Sequence, residues 1–429
     1  MGQVLIIAFH FPPCTGTSGV LRSLKFSRYL PESGWKPILL TVHPRAYEEI
    51  DARSEQSIPQ ELTVLHAFAL DVKRHLGLRG FFPDWLAIPD RWGSWLVGAI
   101  PSGLRVIKRY QIDVIFSTFP VCTAVLCGFV LHRLTGKPWI VDLRDSMTEE
   151  RYPPEAFRRR IWRWIEQKAM RHASRVIFTA ASTRQMYLQR YPGLAPERCL
   201  LISNGYDEED FASLVLRKAG PISDDRPLRL LHTGMLYPEE RDPKPFFGAL
   251  ARLKCDGRIS AANLRICLRA PSSDDFYRRI LGELRIADLV EIQPPLLHQQ
   301  ALQECADADG LLLFQAASCD HQIPAKAYEY LRTRKPIFAL TTQSGDTAGL
   351  LNDVGGATIV DLANQEEIYR RLPDYLGAVR AGSHSLADPQ KIQRYSRRGQ
   401  ASQLADYLTQ VKNQTWVQDD SLKNSLATK

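Results

Sequence analysis

The chain has 429 residues, of which 45% are hydrophobic and 24% charged, and its net charge of +8 gives a pI near 9.0. This length favours two domains over one, and this composition excludes a disordered or fibrous protein. The net positive charge favours acidic partners such as nucleotides, phosphorylated lipids or an anionic membrane face. The sequence has no helix-turn-helix or RNP-type signature that would predict nucleic acid as a partner.

The eight cysteines contain no C-x-x-C pair, which predicts reduced thiols in the cytoplasm and neither disulfides nor zinc. The apolar run at 4–8 lacks a preceding basic region and is too short for a signal peptide. The longest apolar stretch, 121–131, is shorter than the ~20 residues that a membrane-spanning helix needs. We therefore expect a cytoplasmic protein that touches a membrane only peripherally.

Apolar runs and helical patterns alternate from the N-terminus onward. Strands are predicted at 4–9, 37–41, 113–117, 139–142, 176–179 and 199–202. Helical spacing follows the first strand at 20–30, and helix-like segments follow at 121–134 and 155–173. This alternation predicts a parallel sheet with helices on both faces.

The alternation pauses at 206–226, where acidic residues and a Gly-Pro pair predict a linker. Further strands are predicted at 228–232, 264–268, 290–292, 310–314, 336–340 and 357–360. The predicted organisation is an N-terminal Rossmann-like domain (1–205), the linker (206–226), a second such domain (227–385), a helix packing back toward the first domain (386–412) and a polar tail (413–429).

The segment 323–331 predicts a tight loop that leads into a short helix. Lys326 lies in the first turn of this helix, where free N–H groups and a partial positive charge favour an anion such as a diphosphate. Glu329 follows on the same helix face, where its carboxylate could accept hydrogen bonds from two sugar hydroxyls. The alternative is an ordinary solvated helix face.

Two further segments follow predicted strands. The loop of Gly16, Thr17, Ser18 and Gly19 is neither a Rossmann nor a Walker motif, but its glycines let the backbone approach a phosphate or sugar; an ordinary turn is the alternative. The segment 142–145 places two carboxylates beside Arg144, an arrangement that tunes carboxylate pKa values or forms a structural ion pair.

With these motifs in view, the chain resembles the retaining glycosyltransferases of family 4, which have the GT-B fold and build bacterial surface polysaccharides and glycolipids. The resemblance rests on 11–13 with Gly16, Ser18, Gly19 and Arg22, on 25–30, on 34–35, on 141–145, on 203–207, and on 232–234 with 241–243. Two positions depart from the family pattern. His321 stands where a glutamate is common, eight residues before Glu329, and Met235 follows Gly234 where an arginine is common.

The resemblance implies an α/β protein of the GT-B fold, with two doubly wound Rossmann-like parallel-sheet domains facing across a cleft. It implies a nucleotide-sugar as substrate, no cofactor and no metal site, and a saccharide or lipid-linked acceptor held by the first domain. Retention would follow front-face substitution, in which the leaving phosphate helps take the acceptor proton.

The residues predicted for each role follow from the same resemblance. The predicted donor-binding residues are Gly16, Ser18, Gly19, Arg241, His321, Lys326 and Glu329. Asp145 is predicted to orient or deprotonate the acceptor, with Asp142 as the second candidate.

The basic segment 155–173 could lie on an anionic membrane, but the favoured interpretation is a surface helix whose Trp162, Ile165 and Ala169 pack on the sheet. The aromatic segment 81–85, with Trp92 and Trp95, is predicted as an acceptor-side loop.

Two other functions stay open at this point. A nucleotide-sugar epimerase or hydrolase of the same fold would need no acceptor. A non-catalytic donor-binding subunit of a polysaccharide assembly complex would bind the donor without turnover.

Overall fold

A computed structural model of the protein describes residues 1–15, 19–77, 84–150, 152–216, 220–237 and 241–413. The chain forms two compact units. Among the described residues, the first contains 1–178, 190–202 and 401–413, and the second contains 179–189 and 203–400. The predicted linker 206–226 falls inside the second unit, where Tyr206 forms an isolated bridge with Ser396.

Seven strands form the sheet of the first unit. They are β1 (Gly2–Ile7), β2 (Trp35–Val42), β3 (Thr63–Ala67), β4 (Val114–Thr118), β5 (Trp139–Leu143), β6 (Arg175–Phe178) and β7 (Cys199–Leu201). Their order is β3-β2-β1-β4-β5-β6-β7, and every neighbouring pair is parallel. The order reverses between β1 and β4, the point at which doubly wound sheets bind ligands.

The helices that precede the second sheet in the chain connect these strands or follow the last of them. They are α1 (Gly19–Tyr29), α2 (Val72–His75), α3 (Trp95–Arg109), α4 (Cys122–Thr135), α5 (Ala156–His172), α6 (Ala181–Arg190) and α7 (Glu208–Phe211). On one side of the sheet, α3 packs on α4 and α4 packs on α5. On the other side, Leu24 and Phe26 of α1 share a buried cluster with Leu404 and Leu408 of the C-terminal helix.

Six strands form the sheet of the second unit. They are β8 (Leu228–Thr233), β9 (Leu264–Arg269), β10 (Val290–Gln293), β11 (Gly310–Phe314), β12 (Ile337–Leu340) and β13 (Ala357–Val360). Their order is β10-β9-β8-β11-β12-β13, again parallel throughout, with the reversal between β8 and β11.

The remaining helices begin after β8. They are α8 (Lys244–Cys255), α9 (Asp274–Glu283), α10 (His298–Asp307), α11 (Ala325–Thr333), α12 (Asp346–Val354), α13 (Gln365–Arg380), α14 (Pro389–Gln393) and α15 (Arg397–Asn413). Aliphatic strand residues such as Leu230, Ile266 and Leu312 fill the core beneath α8 and α13. Two parallel, doubly wound units confirm the predicted α/β fold class. In each sheet, the switch point lies at the carboxyl ends of the two strands between which the strand order reverses.

Some elements were not predicted, among them one strand and one long helix. The strand β3 and the helix α3 both lie in the stretch between β2 and β4. Trp95, predicted in an acceptor-side loop, is fully buried in α3, and Trp92 packs on Phe9 with its indole N–H donating to the carbonyl of Ala46. Trp95 is therefore a core residue of a helix, whereas Trp92 is half-buried, and the acceptor-side role of this segment stays a prediction. Residues 81–83 lie outside the described residues.

The packing of α5 agrees with the favoured interpretation, because Trp162, Ile165 and Ala169 are buried. All eight cysteines are free thiols. In the described part of the chain, no helix is both long and apolar enough to span a bilayer. The same residues contain no cluster of three or more His, Cys, Asp or Glu side chains arranged to hold a metal ion.

Candidate functional site

A buried ion pair links α1 to β5 in the first unit. Arg22 donates to both carboxylate oxygens of Asp142, at 2.9 and 2.8 Å, and the hydroxyl of Thr118 donates to the same carboxylate at 3.0 Å. Arg22 and Asp142 are 1% and 0% exposed. Because its oxygens are engaged and shielded from solvent, Asp142 has the geometry of a structural residue, which argues against its direct contact with an acceptor.

Arg144 lies just beyond the end of β5 and packs against the start of α1. Its Nε donates to the carbonyl of Phe119 at 2.7 Å. A Cβ at Gly19 would lie 2.4 Å from a guanidinium nitrogen of Arg144, so a side chain there would displace the guanidinium group. Asp145 follows with an exposed side chain, and its negative charge raises the pKa of Arg144 against the larger, opposite effect of burial. Asp145 is thus the carboxylate of this motif that a ligand can reach.

His10 is a further polar side chain in this region. It follows β1, and its ring makes an edge contact with Phe9. Burial, together with the positive charge of Arg144, lowers the pKa of His10 to about 3. The ring is therefore neutral at pH 7 and can exchange hydrogen bonds with a ligand without carrying a charge.

In the second unit, the loop before α11 is fixed by a buried glutamine. The side-chain amide of Gln315 donates to the carbonyls of Cys319 and Gln322, at 2.6 and 2.8 Å. The hydroxyl of Thr347 donates to the Gln315 carbonyl oxygen at 3.0 Å. These bonds set the position at which α11 begins and therefore the position of Lys326.

The ammonium group of Lys326 reaches back to the end of β8. It donates to the carbonyl of Thr233 and lies 3.3 Å from Nε2 of His232. Gly234 has a φ of +90°, and a Cβ there would lie 3.0 Å from the Lys326 nitrogen. A side chain at Gly234 would therefore strain the backbone and crowd the ammonium group.

His232 is buried, and its tautomer follows from its neighbours. Its Nδ1 lies 2.9 Å from the carbonyl of Leu312, and its Nε2 lies 3.1 Å from that of Gly234. Burial and the nearby charge of Lys326 lower the pKa of His232 well below its usual range, so the ring carries one hydrogen. The Lys326 ammonium group beside Nε2 can only donate, which favours the tautomer with the hydrogen on Nδ1. Nε2 is then an acceptor for the Lys326 ammonium group and holds it in place.

Two cations share this end of the sheet. Burial, followed by the positive charge of Arg241, lowers the pKa of Lys326 to about 7, against a smaller opposing effect of Glu329. Arg241 donates to the carbonyl of Met235 at 3.1 Å and lies over the ring of Tyr237. Lys326 is a half-buried lysine whose pKa is lowered by burial and by a neighbouring cation, and a bound anion would offset the repulsion between the two positive charges.

Glu329 lies one turn beyond Lys326 on α11. A carboxylate oxygen lies 3.9 Å from Nε2 of His298, and the side chain is 24% exposed. Burial raises the pKa of Glu329, whereas the charge of His298 lowers it. His298 is also 3.6 Å from Asp210. Glu329 therefore faces a polar but accessible environment, as a ligand for sugar hydroxyls requires.

The structure brings three of the predicted donor-binding residues, Arg241, Lys326 and Glu329, into one electrostatically coupled group. His321 is half-buried in the loop before α11, with Nε2 3.4 Å from the side-chain nitrogen of Gln322. Gly19 belongs to the first unit, where it packs on Arg144. Gly16 and Ser18 lie outside the described residues. Sequence reasoning did not assign His10 or His232 to a site, although both lie at strand ends beside a switch point.

A comparison with protein families matches residues 21–205 to the glycosyl transferase 4-like domain. The matched range lies mostly in the first unit. No curated protein sequence matches the chain significantly.

Solved structures confirm the GT-B fold over nearly the whole chain. A sucrose-phosphate synthase from Thermosynechococcus elongatus is 13% identical, with a TM-score of 0.63 over 96% of this chain and 99% of its own. The lipopolysaccharide outer core galactosyltransferase WaaB is 12% identical, with a TM-score of 0.58 over 95% and 99%. A UDP-GlcNAc 2-epimerase from Methanocaldococcus jannaschii is 14% identical, with a TM-score of 0.52 over 95% and 99%. At these identities, the likeness shows the fold alone.

Proposed function

We propose that this chain is a metal-independent hexosyltransferase that moves a sugar from a nucleotide-sugar to a saccharide or lipid-linked acceptor. The sugar would keep its anomeric configuration, and the product would enter a bacterial cell-surface polysaccharide or glycolipid. The enzyme would work in the cytoplasm. The glycosyl transferase 4-like domain and the GT-B fold support glycosyl transfer, and the chemistry of the second unit supports the donor class.

The observation that carries the proposal is Lys326 in the first turn of α11, together with Arg241, whose positive charge acts on it. The first turn of a helix adds free N–H groups that favour an anion. The charge of Arg241 acts on Lys326 strongly enough to help lower its pKa, so the site holds positive charge that a diphosphate would neutralise. Negative charge develops on the diphosphate as the glycosidic bond breaks, and fixed cations stabilise that developing charge.

Each remaining residue has a role that agrees with its surroundings. Glu329 would accept hydrogen bonds from the ribose hydroxyls, and His321 would contact the donor sugar. In the first unit, Asp145 would orient the acceptor hydroxyl, whose proton passes to the leaving phosphate during front-face substitution. Asp142 would act indirectly, because its pairing with Arg22 ties α1 to β5, the strand that leads to Asp145.

A thermal-stability screen of nucleotide-sugars tests the donor assignment. A donor at a hundredfold its Kd should stabilise the protein by about 2.7 kcal/mol. Lys326→Met should remove most of this stabilisation. Lys391→Met is the matched control, because Lys391 lies in the same unit in a surface pair with Asp353 and should keep the response. A response that survives in Lys326→Met would contradict the assignment.

The fate of the diphosphate distinguishes glycosyl transfer from the epimerase alternative, which shares the fold. A transferase releases a nucleoside diphosphate in step with the appearance of a glycosylated acceptor. An epimerase returns an isomeric sugar that is still linked to the diphosphate, whereas a hydrolase releases free sugar together with the nucleoside diphosphate. A non-catalytic subunit binds the donor and releases neither product.

A further inference from the structure

A second cavity site lies in the second unit, at the far end of α11 from Lys326. It has a volume of about 520 Å³, which is within the range of pockets that hold small molecules. We call it the rear cavity, and its lining includes Glu208, Arg332, Arg334, Leu386, Pro389 and Ile392. Eight helical residues separate Lys326 from Arg334, a distance of about 12 Å along the axis. The rear cavity is therefore separate from the proposed diphosphate site.

Arg332 is a cation that its neighbours hold in one position at the cavity wall. Its Nε lies 3.0 Å from each carboxylate oxygen of Glu208, and its Nη2 donates to one of them at 2.7 Å. The guanidinium group also lies over the rings of Phe211 and Tyr206, at 5.0 and 5.9 Å from their centres. A ligand would therefore meet a guanidinium group that is already ordered, which lowers the entropic cost of binding.

Arg334 adds a second positive charge to the same wall. It ends α11 in the left-handed conformation, with φ of +55° and ψ of +37°. Glycine is the usual residue at this position, because a side chain there strains the backbone. Within the residues that the structure describes, no carboxylate pairs with Arg334, and Glu208 is already paired with Arg332. The two arginines and one glutamate thus leave a net positive charge at the cavity.

The rest of the lining is partly apolar. Ile392 on α14 is 2% exposed, Leu386 is half-buried, and Pro389 begins α14. An inorganic anion would use the arginines but would give no role to these side chains. A neutral apolar molecule would leave the charge of Arg334 unbalanced. An organic anion with an apolar body matches both parts of the lining.

We propose that the rear cavity is a binding site for a small organic anion. Its phosphate or carboxylate group would be held by Arg334 and Arg332, since a guanidinium fork matches both oxyanions. Its apolar body would lie against Leu386, Pro389 and Ile392. The inference does not depend on the proposed transferase activity, because it rests on residues that have no part in donor or acceptor binding.

Four small probes test the chemistry of the site by ligand-observed NMR titration of the full chain. Phenyl phosphate and benzoate each combine an oxyanion with an apolar ring, and the tighter of the two identifies the charged group. Inorganic phosphate lacks the ring and benzyl alcohol lacks the charge, so each should bind at least about tenfold more weakly than the tighter anion. Benzyl alcohol or inorganic phosphate that binds as tightly as both organic anions would overturn the proposal.

Arg334→Gly tests the role of the arginine without endangering the fold. Glycine adopts a positive φ without strain, so this variant should match or exceed the melting temperature of the wild type. Its affinity for the tighter anion should fall at least about tenfold, because a charge-assisted hydrogen bond is lost. Arg285→Gly is the matched control, because Arg285 is also exposed, also has a φ of +55° and follows α9 in the same unit. It is not among the residues that line the rear cavity, so its affinity should change by less than about twofold.

Hydrogen exchange measured with the tighter anion locates the binding. The amides of 386–393 should exchange more slowly when the anion is bound, both in the wild type and in Lys326→Met, which alters the proposed diphosphate site. Protection that is absent from 386–393, or that disappears in Lys326→Met, would overturn the proposal. Unchanged affinity in Arg334→Gly, or an equal loss in Arg285→Gly, would do the same.

Discussion

The low pKa of Lys326 predicts that nucleoside diphosphate binding weakens as the pH rises. In the unliganded protein this pKa is about 7, because the ammonium group is buried and lies near Arg241. A bound diphosphate favours the charged form and raises the pKa. Above pH 7, therefore, ligand binding requires Lys326 to take up a proton. The affinity then falls in proportion to the fraction of protein molecules in which Lys326 is already protonated.

The expected magnitude follows from that pKa. Between about pH 7.5 and about pH 9, the protonated fraction of Lys326 falls from about a quarter to about one hundredth, so the affinity should fall about 25-fold. This range lies above the pKa of about 6 of a terminal phosphate, so the ligand keeps a constant charge. Calorimetry at about pH 8.5 in two buffers of different ionisation enthalpy should show uptake of about one proton per ligand bound.

Lys326→Arg is the control for this prediction. Arginine stays charged throughout the range, so its affinity should be nearly independent of pH even if the geometry is poorer. Lys326→Met should bind weakly and show no slope. A wild-type affinity that does not change between these pH values, or an equal slope in Lys326→Arg, would refute the reasoning.

Three further predictions concern single residues. Glu329→Gln should weaken nucleoside diphosphate affinity by about 1.5–3 kcal/mol, because a charge-assisted hydrogen bond is lost, and calorimetry that shows equal affinity would remove Glu329 from the site. Asp145→Asn should cut transfer about 10²-fold at nearly unchanged donor affinity, because the acceptor hydroxyl loses the carboxylate that orients it, whereas full transfer by a stable variant would show that this carboxylate is dispensable. Asp142→Asn should instead destabilise the fold, by about 3–5 kcal/mol in denaturant unfolding, because Arg22 would be left with a charge that is buried and unbalanced; an unchanged midpoint would argue against a structural pair.

Much of the fold could be predicted from the sequence because the buried strands are strongly apolar. Runs such as 4–9 and 310–314 are short, rich in Val, Ile and Leu, and bounded by turn signals, so they indicate parallel strands without further information. The edge strand β3 was missed because its residues are mostly only half-buried, which weakens the apolar signal. The helix α3 was missed because Gly98, Pro101 and Gly103 interrupt its pattern.

The candidate site was predictable only where its residues are neighbours in sequence. Lys326 and Glu329 share one helix, so local spacing predicted their common face. The pairing of Asp142 could not be predicted in this way, because its partner is 120 residues away and lies in a different element. The contact between His232 and Lys326 likewise spans 94 residues. Long-range pairs of this kind follow from the order of strands in the sheet, which a single sequence does not specify.

The most direct test of the account is a turnover assay with nucleotide-sugars and saccharide or lipid-linked acceptors, read by mass spectrometry. The account predicts release of a nucleoside diphosphate together with an acceptor heavier by one sugar, and loss of both products in Lys326→Met but not in Lys391→Met. An isomeric nucleotide-sugar, free sugar without a glycosylated acceptor, or a donor that binds and is never consumed would contradict glycosyl transfer.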